Sequence, residues 1–232
     1  MNCAAILPDG RRFVIAQDTV GRLRVGLLVA DAVTVAPNPA VWTETEELTE
    51  RLHRQYADRT PADIDGLREA RRLYRSFAMD PTRHRPSSEA LLRRVMRGKS
   101  LYRISNAVDV CNLASLSFLL PIGMYDLDRV EADINVRVGR TAEQYPGIRK
   151  AEVHLAGRLG LFDAAGGFGS PTSDSARTAV TSATTRLLAV IMATAAYRVD
   201  AMASHVDSLA ELFARHCGAV VAYRTILTGE QG

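Results

Sequence analysis

The stretch Leu23-Arg24-Val25-Gly26-Leu27-Leu28-Val29-Ala30 is short and almost entirely apolar. A run of this length and composition predicts a strand that is buried on both faces, with other elements packed on each side of its sheet. Residues 187–193 form a second apolar run, which we interpret as another buried strand rather than a helix. Both runs are therefore predicted to be buried strands.

Around these runs, helical and strand-like hydrophobic periods follow one another along the chain. Helices are predicted over residues 43–56, 61–75, 86–98, 105–120 and 200–217. Further strands are predicted over residues 12–16, 134–138, 152–155, 158–162 and 220–227. Residues 164–175 are rich in Gly, Ser and Thr and are predicted to form a loop. Because helices and strands do not follow a strict βα order, we expect an α+β (mixed α/β) fold with a mixed sheet and packed helices.

The composition excludes several classes of protein. The chain has 232 residues, of which 47% are hydrophobic and 24% charged, values typical of a globular protein. Cys3, Cys111 and Cys217 are odd in number and lack a CxxC spacing, which excludes a disulfide framework and disfavours a zinc ribbon. The histidines show no ligand spacing, so we expect no metal and no cofactor. Because we find neither a signal peptide nor a membrane-length apolar run, we expect a cytoplasmic protein without a membrane partner.

Basic residues are concentrated between residues 71 and 103. This segment contains ten basic and two acidic side chains, whereas the whole chain has a net charge of only +3. Such a segment is typical of a protein that binds a polyanion, and arginine binds phosphate through two parallel hydrogen bonds. The alternative is a solvated helical face with salt bridges to other elements. The basic residues that we expect to contact nucleic acid are Arg83, Arg85, Arg93, Arg94, Arg97, Lys99 and Arg103.

Three ordered segments, residues 74–94, 103–113 and 120–130, resemble a known family. They are similar to stand-alone relatives of the editing (B3/B4) domain of the phenylalanyl-tRNA synthetase β subunit, and residues 25–30 and 169–178 fit the same pattern. The resemblance covers about residues 20–228. It implies that residues 1–232 form a single B3/B4-like domain.

The resemblance also implies a function. The synthetase domain hydrolyses tyrosine wrongly esterified to the phenylalanine tRNA, so we expect an editing-type aminoacyl-tRNA hydrolase that acts in trans and binds the aminoacyl-adenosine 3′ end of tRNA. An aminoacyl ester is already activated, so a positioned water and oxyanion donors could suffice. Two alternatives stay open, namely a non-catalytic module that binds tRNA or an amino acid, and a biosynthetic transferase that uses charged tRNA as donor.

The candidate catalytic residues lie in the segment 164–175. Backbone N–H groups of Gly166 and Gly167 are candidate oxyanion donors, because a residue without Cβ allows close approach of a ligand. Thr172, Ser173 and Ser175 are candidates to hold the ribose hydroxyl or the water, and Asp174 could pair with the α-ammonium group. The alternative is a capped turn, in which Ser, Asp and Thr are common in any case.

The candidate substrate-binding residues match polar positions of the family: Asn106, Asp109, Asn112, Tyr125 and Asp126. The first three could orient the amino acid or the terminal adenosine, or else cap the helix. Tyr125 could line the side-chain pocket or be a core tyrosine.

Two departures from the synthetase domain bear on activity. The synthetase has a histidine where this chain has Gly123 or Met124, and a glutamate where this chain has Ala189, so its substrate geometry cannot operate unchanged here. The partner that we expect is tRNA. A homodimer through the helix at residues 200–217 is the alternative to internal packing of that helix.

Overall fold

The computed structural model describes residues 3–148 and 152–229. The helices are α1 (Pro39–Tyr56), α2 (Asp65–Ser76), α3 (Ser87–Met96), α4 (Asn106–Phe118) and α5 (Val199–Cys217). The strands are β1 (Ala4–Ile6), β2 (Arg12–Ile15), β3 (Leu23–Asp31), β4 (Ile122–Asp126), β5 (Ile134–Val138), β6 (Gln144–Pro146), β7 (Glu152–His154), β8 (Leu159–Asp163), β9 (Gly166–Gly169), β10 (Leu187–Thr194) and β11 (Val220–Thr228).

The central sheet has the order β11-β3-β10-β4, and every pair in it is antiparallel. A second sheet has the order β1-β2-β5-β8-β9, in which β2 and β5 run parallel and the other pairs antiparallel. Strands β6 and β7 form a separate antiparallel pair. The predicted α+β class with a mixed sheet is confirmed.

The predicted strands at residues 23–30 and 187–193 are the two central strands, β3 and β10, and nearly every residue in them is buried. Leu28 and Ala189 pack against the helices, whereas Leu27 and Val190 pack against the second sheet. Because a strand alternates its side chains between faces, a strand covered on both sides must be apolar at every position. This explains the continuous apolar runs from which both strands were predicted.

Helix α5 lies directly on β3. A Cβ atom on Gly26 would lie 2.6 Å from Val206 Cγ2 and 2.8 Å from Met202 Sδ, so the absence of a side chain allows this close packing. Other apolar residues of α5, among them Leu209 and Phe213, are buried in the same cluster. The predicted helix is confirmed, and its apolar face packs within the chain.

Several predicted boundaries are wrong. Helix α1 begins at Pro39 rather than residue 43, because the Asn38 side chain accepts a hydrogen bond from the Ala40 N–H at 2.9 Å and proline suits the first helical position. Pro61 begins a short 3₁₀ turn, and α2 starts only at Asp65. The helix predicted over residues 105–120 ends at Phe118, and the residues after Pro121 form β4, a fully buried strand at one edge of the central sheet.

The predicted loop at residues 164–175 is also partly wrong, because it contains β9, which pairs with β8. Phe168 is fully buried in the core between the sheets. A Cβ atom on Gly167 would lie 2.5 Å from Leu155 Cδ1, so glycine here allows tight packing within a strand rather than marking a loop.

Two absences apply to the parts of the chain that the structure describes. No helix in residues 3–148 and 152–229 is long and apolar enough to cross a membrane. Across the same two ranges, no group of three His, Cys, Asp or Glu side chains is placed to hold a metal ion.

Candidate functional site

A tight turn at residues 170–175 follows β9. Its centre is the buried Ser170, whose Oγ accepts hydrogen bonds from the N–H groups of Thr172 at 3.3 Å and Ser173 at 3.2 Å. The same hydroxyl donates to the Ser173 carbonyl at 3.1 Å. Tyr145 Oη donates to both Ser170 Oγ and the Ser173 carbonyl. The backbone of this 170–175 turn is therefore fixed by hydrogen bonds made within the protein.

The 170–175 turn contacts the start of α3. Tyr74 Oη, on α2, lies 2.7 Å from Thr172 Oγ1 and 3.5 Å from the Arg85 carbonyl oxygen. The Ser87 N–H donates to the Pro171 carbonyl at 3.3 Å. The structure thus brings a predicted catalytic residue close to the exposed segment that carries Arg85.

Asp174 lies near a buried cluster of tyrosine and cysteine side chains. Burial and, after it, the negative charge of Asp174 raise the pKa of Tyr125 well above its usual value and that of the Cys111 thiol to about 12. Burial raises the pKa of Tyr145 as well, although its hydrogen bond to Ser170 opposes this. Cys111 is consequently a protonated thiol at neutral pH and not an activated nucleophile.

Tyr125 fills the space between two strands. Its ring packs edge to face on Phe168, with centroids 4.9 Å apart. Tyr125 Oη is buried, and its interaction with the Asp174 carboxylate contributes to the raised pKa of this tyrosine. Cβ atoms on Gly123 and Gly169 would lie 2.1 and 2.2 Å from this oxygen, so both positions need glycine. Gly123 leaves room for the tyrosine hydroxyl.

The two departures from the synthetase domain are neighbours in space. Ala189 on β10 pairs directly with Met124 on β4. Both side chains are buried in the apolar cluster between the central sheet and the helices. The two adjacent positions are therefore occupied by apolar side chains, neither of which can titrate.

Asn106 has a structural role in this fold. Its Nδ2 donates to the carbonyls of Thr34 at 2.7 Å and His216 at 2.9 Å. Its Oδ1 accepts from the N–H groups of Ala36 at 2.9 Å and Ala107 at 2.8 Å. These four bonds use both donor hydrogens and both acceptor sites, leaving the buried amide no capacity for a ligand.

The side chains of Asp126 and Ser175 also make hydrogen bonds within the protein. Asp126 accepts hydrogen bonds from Thr184 Oγ1 at 2.7 Å and from the Asp128 N–H at 3.1 Å, which caps a 3₁₀ turn. Ser175 is buried, and its Oγ accepts from the Arg177 N–H at 3.0 Å. Both side chains stabilise the local backbone.

Asp109 and Asn112 line a cavity of about 430 Å³ between α1 and α4, the Trp42 pocket. Trp42 Nε1 donates to Asp109 Oδ2 at 2.7 Å, and the Ile104 N–H donates to Asp109 Oδ1 at 3.2 Å. Burial raises the pKa of Asp109 despite these bonds. The Arg103 guanidinium lies 4.8 Å from the Trp42 ring centroid. The structure thus brings three predicted residues, from the substrate and tRNA sets, to one pocket.

Gly166 and Gly167 lie at the other end of β9 from the 170–175 turn. They are the cross-strand partners of Asp163 and Phe162. At about 3.3 Å per residue, Gly166 is roughly 10 Å from Gly169. The structure therefore does not bring Gly166 together with Asp174.

The predicted tRNA-binding residues fall into two groups. Arg93 donates to Glu89 at 2.8 Å, Arg94 lies 4.1 Å from the Tyr102 ring centroid, and Arg103 pairs with Glu46. The other members of the set, all exposed to solvent, are Arg83, Arg85, Arg97 and Lys99, and of these Arg83 Nε lies 3.9 Å from Asp80 Oδ2.

Sequence reasoning missed Ser170, Tyr74 and Tyr145. The signal for Ser170 was present, since Gly169-Ser170-Pro171 is a typical turn sequence in which serine bonds its own backbone. No local signal marks Tyr74 or Tyr145, because their partners lie 98 and 28 residues away in sequence.

Residues 69–218 match the B3/4 domain family, which is about two thirds of the chain and covers the 170–175 turn and every predicted site residue. The chain belongs to the B3/4 domain family. The family resemblance seen in the sequence is thereby confirmed. Trp42 and the strands before it lie outside the B3/4 match.

Among solved structures, the chain is similar to an N-terminal fragment of the phenylalanyl-tRNA synthetase β subunit from Pyrococcus horikoshii. The identity is 15% and the TM-score 0.41, with 51% of this chain and 45% of that fragment covered. The chain therefore spans less than half of the fragment. No curated protein matches it.

Proposed function

We propose that this B3/4 protein is an editing-type aminoacyl-tRNA hydrolase that acts in trans and binds the aminoacylated 3′ end of tRNA. One observation carries the proposal. Through Tyr74, the hydroxyl-bearing 170–175 turn is bonded to the segment that ends in Arg85. In this proposal, the phosphates of the substrate lie on Arg83 and Arg85, and its ester lies beside Asp174. Family membership supports the same substrate class.

In this proposal, the Asp174 carboxylate holds the α-ammonium group of the esterified amino acid. The hydroxyl groups of Thr172 and Ser173 hold the attacking water and the carbonyl oxygen, because they lie closer to Asp174 than Gly166 does. Water attacks the carbonyl carbon and the carbon–oxygen bond to the ribose breaks. One proton of the water passes to the ribose oxygen, and the other is released to solvent as the amino acid leaves with an ionised carboxylate. No side-chain nucleophile is needed, since the ester is already activated.

In this proposal, tRNA is bound by exposed cations on the protein surface, namely Arg83, Arg85, Arg97 and Lys99. Phosphate contacts release counterions, so binding should weaken steeply as the salt concentration rises. Arg94 and Arg103 contribute less, because each is already stacked on an aromatic ring.

The test is deacylation of a panel of charged tRNAs, including tyrosine on the phenylalanine tRNA, with gel-shift binding at two salt concentrations. Asp174→Asn removes the charge but keeps the shape, and we expect kcat/KM to fall about 10- to 100-fold while tRNA binding persists. The matched control is Asp207→Asn on α5, which should leave both unchanged. Equal hydrolysis by the Asp174→Asn variant would refute the assignment.

A second candidate is a B3/4 module that binds tRNA or an amino acid without hydrolysing an ester. The apolar pair Met124 and Ala189 favours it, because no titratable side chain occupies the place of the two synthetase residues. Salt-sensitive binding without release of amino acid would support this module. Release that requires an added amine acceptor would instead support a transferase.

A further inference from the structure

A cleft of about 610 Å³ lies between the end of α1, α2 and α3. Four arginines, Arg59, Arg71, Arg93 and Arg97, line it together with the polar side chains of two threonines, and we name it the Arg59 cleft. No acidic residue is among the described residues that line it. Its chemistry is therefore that of a cationic cavity with hydrogen-bond donors, which suits an anion.

The carboxylate of Glu89 holds two of the four guanidinium groups in place. Glu89, only 1% exposed, accepts bonds from Arg71 Nε at 2.7 Å and Nη2 at 2.8 Å, and from Arg93 Nε at 2.8 Å. Burial opposes ionisation of Glu89, but these bonds outweigh it and lower its pKa. Glu89 is therefore an anion at neutral pH that orients two cations.

The pairing leaves donors available. Arg71 Nη1 and both terminal nitrogens of Arg93 make no hydrogen bond to the described residues. Because the Nε atoms are fixed, these remaining N–H groups are ordered before any ligand arrives, which reduces the entropic cost of binding.

The other two arginines add charge without a salt bridge to the described residues. Arg59 and Arg97 are both exposed to solvent. The nearby acids Asp63 and Asp80 accept hydrogen bonds from the two threonine hydroxyls that belong to the cleft lining. Four cations therefore line the cavity, and the nearby carboxylates of Glu89, Asp63 and Asp80 are not part of its lining.

We propose that the Arg59 cleft binds phosphate groups, and that the phosphates are those of an RNA strand. The choice of RNA rests on the proposed function. The phosphate chemistry does not, because it follows from four guanidinium groups that can each contact phosphate through paired N–H donors. The cleft adds Arg59 and Arg71 to the predicted basic set and places Arg93 and Arg97 with them.

The test compares the wild-type protein with the double variant Arg59→Ala/Arg97→Ala, because neither side chain makes a hydrogen bond or salt bridge to the residues that the structure describes. The control is Arg198→Ala/Arg215→Ala, which removes the same charge near α5. Titrations use inorganic phosphate and pyrophosphate, measured by calorimetry, and an uncharged tRNA transcript, measured by gel shift over a range of salt concentrations.

We expect the cleft variant to bind tRNA at least about 10-fold more weakly, and its salt slope to fall by about 2, whereas the control stays near wild type. Pyrophosphate binding that is lost in the cleft variant alone, with tRNA binding unchanged, would support a phosphate site but overturn RNA as its source. Equal behaviour of both variants with every probe would overturn the proposal. None of these measurements uses turnover, so they are independent of whether the protein hydrolyses an ester.

Discussion

The basic segment and the 170–175 turn were both singled out from the sequence, yet the structure uses their polar groups in different ways. Arg71 and Arg93 in the basic segment are held by one buried carboxylate and keep unused donors. In the turn, the Ser170 hydroxyl and the Ser173 carbonyl are hydrogen-bonded to each other and to Tyr145. Residue type indicated polar chemistry in both places, but only the pairing of the groups decides which of them a ligand can use.

The largest expected effect comes from removing the Glu89 carboxylate, which pairs with Arg71 and Arg93. Glu89→Ala leaves Arg71 and Arg93 without their partner in a partly buried place, and we expect the free energy of unfolding to fall by about 3–5 kcal/mol. Urea denaturation measures it. Glu50→Ala, at a carboxylate that is 71% exposed and 3.8 Å from Arg54, should cost less than about 0.5 kcal/mol. Similar losses in both variants would contradict the buried pairing.

The same carboxylate should also make stability depend on acid. The pKa of Glu89 in the folded protein lies below its ordinary value of 4.5, so its contribution is fully present above pH 4.5 and is lost as the pH falls through the folded pKa. We expect the difference in unfolding free energy between wild type and Glu89→Gln to shrink between pH 7 and pH 3. A constant difference over that range would show that ionisation of Glu89 does not contribute.

A smaller effect is expected where the 170–175 turn begins. Gly169→Ala places a Cβ atom 2.2 Å from Tyr125 Oη, and we expect a loss of about 1–3 kcal/mol in unfolding free energy. Intrinsic strand propensity alone would predict the opposite sign. In a Tyr125→Leu background the penalty should largely disappear, because the clashing atoms are gone. A penalty of the same size there would point to backbone strain instead.

The smallest effect is expected from the hydroxyl that fixes the turn. Tyr145→Phe removes the bonds to Ser170 and to the Ser173 carbonyl, and we expect a loss of about 1 kcal/mol by denaturation. Ser173 keeps the bond from Ser170 Oγ, which limits the cost. Tyr102→Phe, at a side chain that is 67% exposed, should change stability by less than about 0.5 kcal/mol. Equal values would mean that water replaces the buried bonds.

Much of the fold was predictable, and the exceptions have identifiable causes. β3 and β10 were found because a doubly covered strand is continuously apolar. β9 was missed because its glycines, which allow packing against Leu155 and Tyr125, have the composition of a loop. β4 was missed because Pro121 and Gly123 resemble a helix stop, although the strand behind them is fully buried.

The candidate site was predictable only in part. Asp109, Asn112 and Arg103 were each predicted, but nothing local shows that they meet at Trp42, since α1 comes from an earlier part of the chain. For Asn106 the sequence left ligand binding and a structural role open, and it could not show the hydrogen bonds that this amide makes to the segment before α1 and to the end of α5. The catalytic and tRNA-binding roles stay predictions.

The sequence by itself determined the α+β class, the two central strands, the five helices and the family, because these depend on hydrophobic period and on ordered motifs. The tertiary structure alone decided which polar groups are hydrogen-bonded within the protein and which can still bind a ligand. Hydrogen bonds and ion pairs form between residues far apart in the chain, such as Tyr74 with Thr172 and Arg71 with Glu89. Only folding brings such partners within 3 Å of each other.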